Sequence, residues 1–263
     1  MTKRLVAFLP VFLLASFLSA QPVTLKHLCD VTFIRGGAGS VQMNGYLYTL
    51  GFYNTIHKIN LATGVTEQLG KELYTDVRFF FGVNNRLFII RRNNSMIEIE
   101  INSGSFHEVL PALSWQFISR VITIGRNLYT VNQGTLYHNP SLRPEPAKAL
   151  GTPTFFDIDK LMWTESTLHA LVGNTLYQID LQTGKWIQVK KDKAFRAFKT
   201  GAVIGDSFFY VEQKGGLVEL SMTSGESKVL DESQFLVPVM MFQDSGKIYY
   251  VNGDYKLFEV IKG

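Results

Sequence analysis

The chain has 263 residues, of which 46% are hydrophobic, 13% aromatic and 18% charged, a composition that excludes a disordered or fibrous protein. Its formal net charge of +4 is too small to indicate nucleic-acid binding. The single cysteine excludes a disulfide framework within the chain and a zinc site built on cysteines.

The N-terminus has the layout of a secretory signal peptide. Lys3 and Arg4 precede an apolar run of about 14 residues, and small residues follow up to Ala20. A membrane anchor is the alternative, but the run is shorter than the roughly 20 residues that a span requires. We predict a cleaved signal over 1–20, a mature domain over 21–263 that does not span a membrane, and a secreted protein, extracellular or periplasmic.

The mature chain would carry its one thiol, Cys29, into an oxidising compartment. Such a thiol can form a disulfide between chains or act as a nucleophile. A buried thiol that packs as a small apolar residue is the interpretation that we favour.

Two hydrophobic anchors recur with a period of 40 or 41 residues over six copies. The first anchors are Leu47, Leu87, Leu128, Leu168, Phe208 and Ile248. The second anchors are Ile56, Met96, Leu136, Leu176, Leu217 and Leu257. Because two independent anchors keep one period, the chain is predicted to be a repeat protein.

Each repeat reads as four short strands separated by turns. Pairs such as Asn44-Gly45 precede the first anchor, and triplets such as Ala62-Thr63-Gly64 follow the second, as in tight hairpins. The runs between them are β-branched, aromatic and aliphatic, and many are apolar on both faces. Sheets of this kind need a neighbour on each side, so we predict an all-β, six-bladed β-propeller.

The third and sixth repeats each depart from the common pattern. The third repeat departs from the pattern because three prolines, Pro140, Pro144 and Pro146, follow its second anchor. The sixth repeat stops after its third predicted strand, 256–261, whereas the mature N-terminus resembles a fourth strand. We therefore predict that the N-terminal strand completes the last blade and closes the ring.

The repeat resembles those of six-bladed propellers of the TolB-like, NHL-like and YWTD-like groups. The resemblance rests on a Leu-Tyr pair followed by Ile-Asp-Leu-x-Thr-Gly, seen best from Leu176 to Gly184. No repeat carries the complete Tyr-Trp-Thr-Asp sequence. The resemblance implies the ring architecture and no particular activity.

The repeat register also allows each histidine to be interpreted. His57 and His169 stand where other repeats carry core residues, and His27, His107 and His138 are scattered over other blades. No pair has metal-ligand spacing, and no serine-nucleophile motif is present. We therefore predict neither a metal site nor a cofactor.

The loops that lead into the innermost strands are the remaining candidate site. They should meet at one mouth of the central channel, where charged and amide side chains could bind a ligand. The candidate ligand-binding residues are Arg35, Asp76, Arg78, Gln116, Arg120, Asp157, Asp159, Arg196 and Lys199. The alternative is an ordinary solvated face whose charges pair among themselves.

Other residues near the mouth carry weaker signals. Aromatic residues close to the innermost strands, such as Trp115 and Trp163, could bind a ligand or fill the gaps between blades. Asn93 begins an N-glycosylation sequon on a predicted loop.

These observations predict a secreted, monomeric, non-catalytic binding or scaffold propeller. Its partner would be a protein or an anionic or carbohydrate ligand held at the channel mouth, and not nucleic acid. The alternative is a secreted hydrolase or lyase in the same channel, where Arg, Asp and Lys could stabilise a developing anion.

Overall fold

The computed structural model describes residues 23–34, 39–144, 147–151, 160–163, 167–192, 195 and 200–263. The predicted signal peptide lies outside these residues. They form six antiparallel sheets of four strands and one 3-10 turn at Thr32–Ile34, with no α-helix in the described ranges. This is the six-bladed β-propeller that the repeat period predicts.

Each sheet is one blade, with its strands in chain order from the channel outwards. The exception is the first strand of the chain, β1 (Thr24–Asp30), which belongs to blade 6. Blade 1 comprises β2 (Gly39–Met43), β3 (Tyr46–Leu50), β4 (Ile56–Asn60) and β5 (Thr66–Gln68). Blade 2 comprises β6 (Val77–Val83), β7 (Arg86–Arg91), β8 (Met96–Ile99) and β9 (Phe106–Leu110). Blade 3 comprises β10 (Ile118–Ile124), β11 (Asn127–Asn132), β12 (Thr135–Asn139) and β13 (Lys148–Leu150).

The second half of the ring repeats this plan. Blade 4 comprises β14 (Lys160–Trp163), β15 (Leu168–Val172), β16 (Thr175–Ile179) and β17 (Trp186–Lys191). Blade 5 comprises β18 (Gly201–Ile204), β19 (Ser207–Val211), β20 (Leu217–Ser221) and β21 (Ser227–Asp231). Blade 6 comprises β22 (Pro238–Asp244), β23 (Lys247–Asn252), β24 (Lys256–Ile261) and β1.

The N-terminal strand closes the ring. β1 pairs antiparallel with β24, from Thr24 opposite Ile261 to Asp30 opposite Lys256. The N–H of Val31 then donates to the carbonyl of Tyr255 at 2.7 Å. The predicted completion of the last blade is therefore confirmed, and β24 is covered by a strand from the other end of the chain.

The two anchors bury opposite faces of each blade, and all twelve are at most 2% exposed. Leu87 packs toward the preceding blade, whereas Met96 of the same blade packs toward the following one. Every blade repeats this division. Six core clusters result, one between each pair of successive blades, including blades 6 and 1.

A third buried position recurs in the loops between blades. Tyr74, Trp115, Phe195 and Phe235 each stand thirteen residues before the first anchor of their blade, and each is at most 3% exposed. Each belongs to the cluster between its own blade and the preceding one. These rings fill interblade gaps, one of the two roles that the sequence left open for the aromatic residues.

Glycines in the outer turns let neighbouring blades approach closely. Gly104 has a φ of 75°, and a Cβ added to it would lie 2.5 Å from the carbonyl oxygen of Leu69 in the preceding blade. Gly246 has almost the same φ, 76°, but nothing lies within 4 Å of its added Cβ. A comparison of the two glycines therefore separates the effect of backbone conformation from the effect of contact between blades.

We expect Gly104→Ala to lower the free energy of unfolding by about 3 kcal/mol, because a left-handed alanine is strained and its methyl group collides with the neighbouring blade. Gly246→Ala should lower it by only about 1 kcal/mol, since the strain acts alone. Chemical denaturation of both variants measures the difference. Equal losses would contradict the role assigned to the interblade contact.

Candidate functional site

The wall of the central channel is formed by strand edges. The innermost strands β2, β6, β10, β14, β18 and β22 are each the end strand of their sheet, so one edge of each has no neighbouring strand in that sheet. In a ring of radial blades, these edges present main-chain N–H and C=O groups to the channel. The channel therefore offers hydrogen-bonding groups before any side chain is considered.

The hairpins that join first and second strands surround one end of the channel, which we call the hairpin face. A cavity of about 370 Å³ lies there, lined by five of the six innermost strands. Its polar side chains include Gln42, Thr123 and Gln243, and Asp244 is the one acidic residue among the described lining residues. Phe80 also borders this cavity, so some aromatic residues of the inner strands do reach the channel.

The opposite end of the channel is the mouth that the sequence proposed. The loops between blades and the loops between second and third strands meet there, and we call this the crossover face. Backbone bonds join them, as from the N–H of Tyr74 to the carbonyl of Asn54 at 2.7 Å. Arg120 borders a second cavity of about 360 Å³ beside Phe79 and Trp163.

The described residues do not bring the predicted ligand-binding side chains into one pocket. Arg120 is exposed beside the channel, Gln116 lines a separate cleft, and Asp76 is exposed with a φ of 58°. No ion pair joins two of these charged side chains within the described part of the chain. The remaining predicted residues, Arg35, Asp157, Asp159, Arg196 and Lys199, lie outside the described residues.

Arg78 is turned into the fold. Its guanidinium donates to the Oδ1 of Asn94, to the carbonyl of Ile118 and, at 3.4 Å, to the carbonyl of Trp115. These acceptors belong to the second–third loop of blade 2 and to the segment that leads into blade 3. Arg78 therefore holds blade 2 against the start of blade 3.

We expect Arg78→Met to lower the free energy of unfolding by about 1–3 kcal/mol, because half-buried acceptors lose their charged donor. Arg126→Met is the matched control, since Arg126 is exposed on a hairpin and should change stability by less than about 0.5 kcal/mol. Urea denaturation measures both. An unchanged Arg78→Met would instead favour a guanidinium that is available to a ligand.

The crossover face carries exposed apolar side chains, most of which the sequence did not point to. Tyr53 is 74% and Val237 72% exposed on this face. Among the described residues, the group comprises Phe52, Tyr53, Leu73, Leu113, Phe117, Leu236 and Val237. All seven lie in loops between blades or between second and third strands, and we call them the apolar rim.

Three residues of the apolar rim adopt a backbone conformation that bulky residues avoid. Leu113, Phe117 and Val237 have φ values of 69°, 62° and 49°. This left-handed conformation is rare outside glycine, asparagine and aspartate, and in a β-branched residue it is an outlier. The loop sequences offered no glycine or asparagine at these positions to signal the turn.

Asn93 lies exposed on the second–third loop of blade 2, where its Oδ1 accepts the N–H of Ser95 at 3.0 Å. Its glycosylation remains a prediction. The described residues contain no group of three or more His, Cys, Asp or Glu able to hold a metal ion. They also contain no helix long and apolar enough to cross a membrane.

Two isolated reactive groups are partly or fully buried. Cys29 is half-buried beside the cluster between blades 6 and 1, and burial raises the pKa of its thiol. His169 is only 3% exposed, which confirms its predicted core position. Burial lowers the pKa of His169 to about 4, whereas the negative charge of Asp206 raises it by a smaller amount.

The buried His169 makes stability depend on pH. Its pKa in the folded state is about 4, below the 6.5 of an unperturbed histidine, so the unfolded chain binds the proton more readily. Stability should fall as the pH drops from about 6.5 to 4, by about 2–3 kcal/mol from this residue. Burial also lowers the pKa of His57 and His138, which act in the same direction.

His169→Phe places in blade 4 the residue that Phe88 and Phe209 supply in blades 2 and 5. We expect the variant to lose less stability than the wild type between pH 7 and pH 4.5, because the phenyl ring does not titrate. Denaturation at the two pH values measures this difference. An identical loss in both proteins would show that His169 is not the titrating group.

Comparisons with known proteins show that solved structures share the fold of this chain. No protein-family model matches the chain, and no curated protein does. BamB from Moraxella catarrhalis is 12% identical over 84% of both chains, with a TM-score of 0.45. PorZ of Porphyromonas gingivalis is 10% identical over 90% of this chain and 33% of its own, with a TM-score of 0.50. YCF48, solved bound to D1 peptide, is 11% identical over 90% of this chain and 80% of its own, with a TM-score of 0.57.

The chain spans about a third of PorZ, whose description is an essential bacterial surface component of the type-IX secretion system. At these identities the likeness is one of fold. The function of this chain must therefore be inferred from the arrangement of its own residues.

Proposed function

We propose that this chain is a secreted, non-catalytic binding protein that holds a protein partner against its crossover face. The observation that carries the proposal is the apolar rim. Among the described residues, seven large apolar side chains are exposed in the loops of one face. Exposed apolar residues gathered on one face, unlike scattered ones, are typical of a protein-binding surface.

The backbone strain in the rim supports the same proposal. Bulky residues with left-handed φ cost on the order of 1–2 kcal/mol each, and asparagine would be tolerated better there. Phe117 is 66% and Val237 72% exposed, so core packing explains neither side chain. A partner that buries these side chains would account for retaining them despite the strain.

Polar residues of the crossover face complete the proposed surface. Arg120 stands at the channel and Asp76 lies exposed beside blade 2. We propose that they contribute specificity around the apolar rim, as polar residues do at the periphery of protein interfaces. Arg35, Asp157, Asp159, Arg196 and Lys199 remain proposed members of the same surface.

The proposal that the protein is exported depends on the predicted signal peptide. PorZ, a surface component, and YCF48, solved with a peptide, are chains of similar fold. They illustrate that such folds occur at bacterial surfaces and hold peptides, and they do not carry the proposal.

The test replaces two rim residues with asparagine, which adopts the left-handed conformation easily. We expect Phe117→Asn/Val237→Asn to unfold at higher denaturant concentration than the wild type and to capture at least tenfold less partner. Capture is measured with a photo-cross-linking residue in place of Leu73, using the extracytoplasmic fraction of the host.

The matched control is Ile187→Asn/Val229→Asn, which removes two side chains that are each 53% exposed on outer strands. This control should capture the partner as the wild type does. Equal capture by both double variants, or capture only through a cross-linker placed at position 187, would reject the crossover face as the binding surface.

A further inference from the structure

A cleft opens between blade 3 and the segment that leads into it from blade 2, apart from the central channel. Its volume is about 470 Å³, within the range of ligand sites. Trp115 and Gln116 line it from the loop between the blades, and Asn132, Tyr137 and Asn139 line it from blade 3. Leu113 of the apolar rim also borders it, so the cleft adjoins the crossover face.

The repeat register shows that this cleft is an exception. Asn139 occupies a position that the other five blades fill with an aliphatic residue facing the preceding blade. Those residues are Ile59, Ile99, Ile179, Leu220 and Val260. Asn139 is nevertheless only 1% exposed. A polar side chain has therefore replaced a core residue where the cleft forms.

The asparagine is held in place by its neighbours. Its Oδ1 accepts from the hydroxyl of Thr130 at 2.9 Å, and its Nδ2 donates to the carbonyl of Arg143 at 3.1 Å. Thr130 is itself only 2% exposed. Such a satisfied buried network fixes the shape of the cleft wall.

Two other buried polar atoms of the cleft have no hydrogen-bond partner among the described residues. They are the Nε1 of Trp115, a side chain that is 1% exposed, and the Oδ1 of Asn132. Each unpaired group costs about 1–3 kcal/mol of stability. Two residues that line the cleft thus carry one donor and one acceptor that the fold does not use.

The described side chains that line the cleft carry no charge. An ionised ligand group would lose its hydration there with no charged side chain among the described lining residues to pair with, which is unfavourable. An amide group is neutral and carries both a donor and an acceptor, so it suits the Asn132 carboxamide in either orientation.

We propose that this cleft binds a neutral peptide segment, whose amide groups offer a carbonyl oxygen to Trp115 and an N–H to Asn132. The proposal deepens the proposed function, on which it rests, by assigning the chemistry of the partner segment. The amide comes from the main chain or from a glutamine or asparagine side chain. Tyr137 and Pro144 supply apolar surface beside these polar groups.

The experiment follows the three tryptophan indole N–H signals by NMR in the full mature chain, with Trp115 assigned from Trp115→Phe. The probes are N-acetylglutamine methylamide, its glutamate counterpart and N-acetylalanine methylamide, at millimolar concentrations and pH 7. We expect a saturable shift of the Trp115 signal with the glutamine probe and at least tenfold weaker binding of the glutamate probe. An equal response to the alanine probe would show that the cleft recognises main-chain amides. A weaker response would show that it recognises the side-chain amide.

Asn139→Leu restores the residue that blade 5 carries at this position, so it should keep the fold and weaken binding at least tenfold. Asn132→Ala removes the acceptor and should also weaken binding. Gln243→Leu, in the central channel, is the control that should bind like the wild type. An unshifted Trp115 signal in the folded wild type, equal binding of the charged probe, or unchanged binding by Asn139→Leu would overturn the proposal.

This titration involves no partner protein, so it can fail while the apolar rim still captures one. Conversely, if Phe117→Asn/Val237→Asn still captures the partner, the crossover face is not the binding surface, and the titration result is unaffected. The two outcomes therefore remain distinguishable.

Discussion

The architecture depends on sheets that are apolar on both faces. The first anchor of each blade buries one face and the second anchor buries the other, so each sheet requires a neighbour on both sides. An open stack would leave two apolar faces in water, whereas a ring leaves none. The cluster that joins blade 6 to blade 1 is therefore as necessary as the other five, and β1 completes the blade on which it depends.

The same geometry separates the roles of the ring's surfaces. Because the sheets stand radially, their side chains are used mainly for packing between blades, and strand edges face the channel. Most of the side chains that are free to contact a partner therefore lie in the loops of the two faces. The loops of the crossover face also join neighbouring blades, since Arg78 and the buried ring of Trp115 come from this region. The proposed binding surface and the contacts that stabilise the ring therefore share the same segments.

The sequence predicted the ring and its closure correctly because both follow from the periodic burial of side chains, which the 40-residue period records. It also suggested that aromatic residues fill the interblade gaps, although their own register from Tyr74 to Phe235 went unnoticed. The direction of loop side chains was not predictable in this way. The sequence gives no sign of the direction of Arg78, near the start of β6, and its inward turn depends on carbonyl groups of the segment that leads into blade 3. Phe117 and Val237 are exposed and have left-handed φ angles, which neither residue type suggests.

Departures from the repeat are the most informative residues, because five sister positions define what the fold alone requires. His169 departs within the core, and burial disfavours its charged form without offering a surface to a partner. Asn139 departs in a different way, since Thr130 and Arg143 satisfy it while Trp115 and Asn132 beside it keep unused polar atoms. A substitution made only for packing would have kept an aliphatic residue there. The third repeat thus carries a buried polar residue at a position where the other five repeats carry an aliphatic core residue.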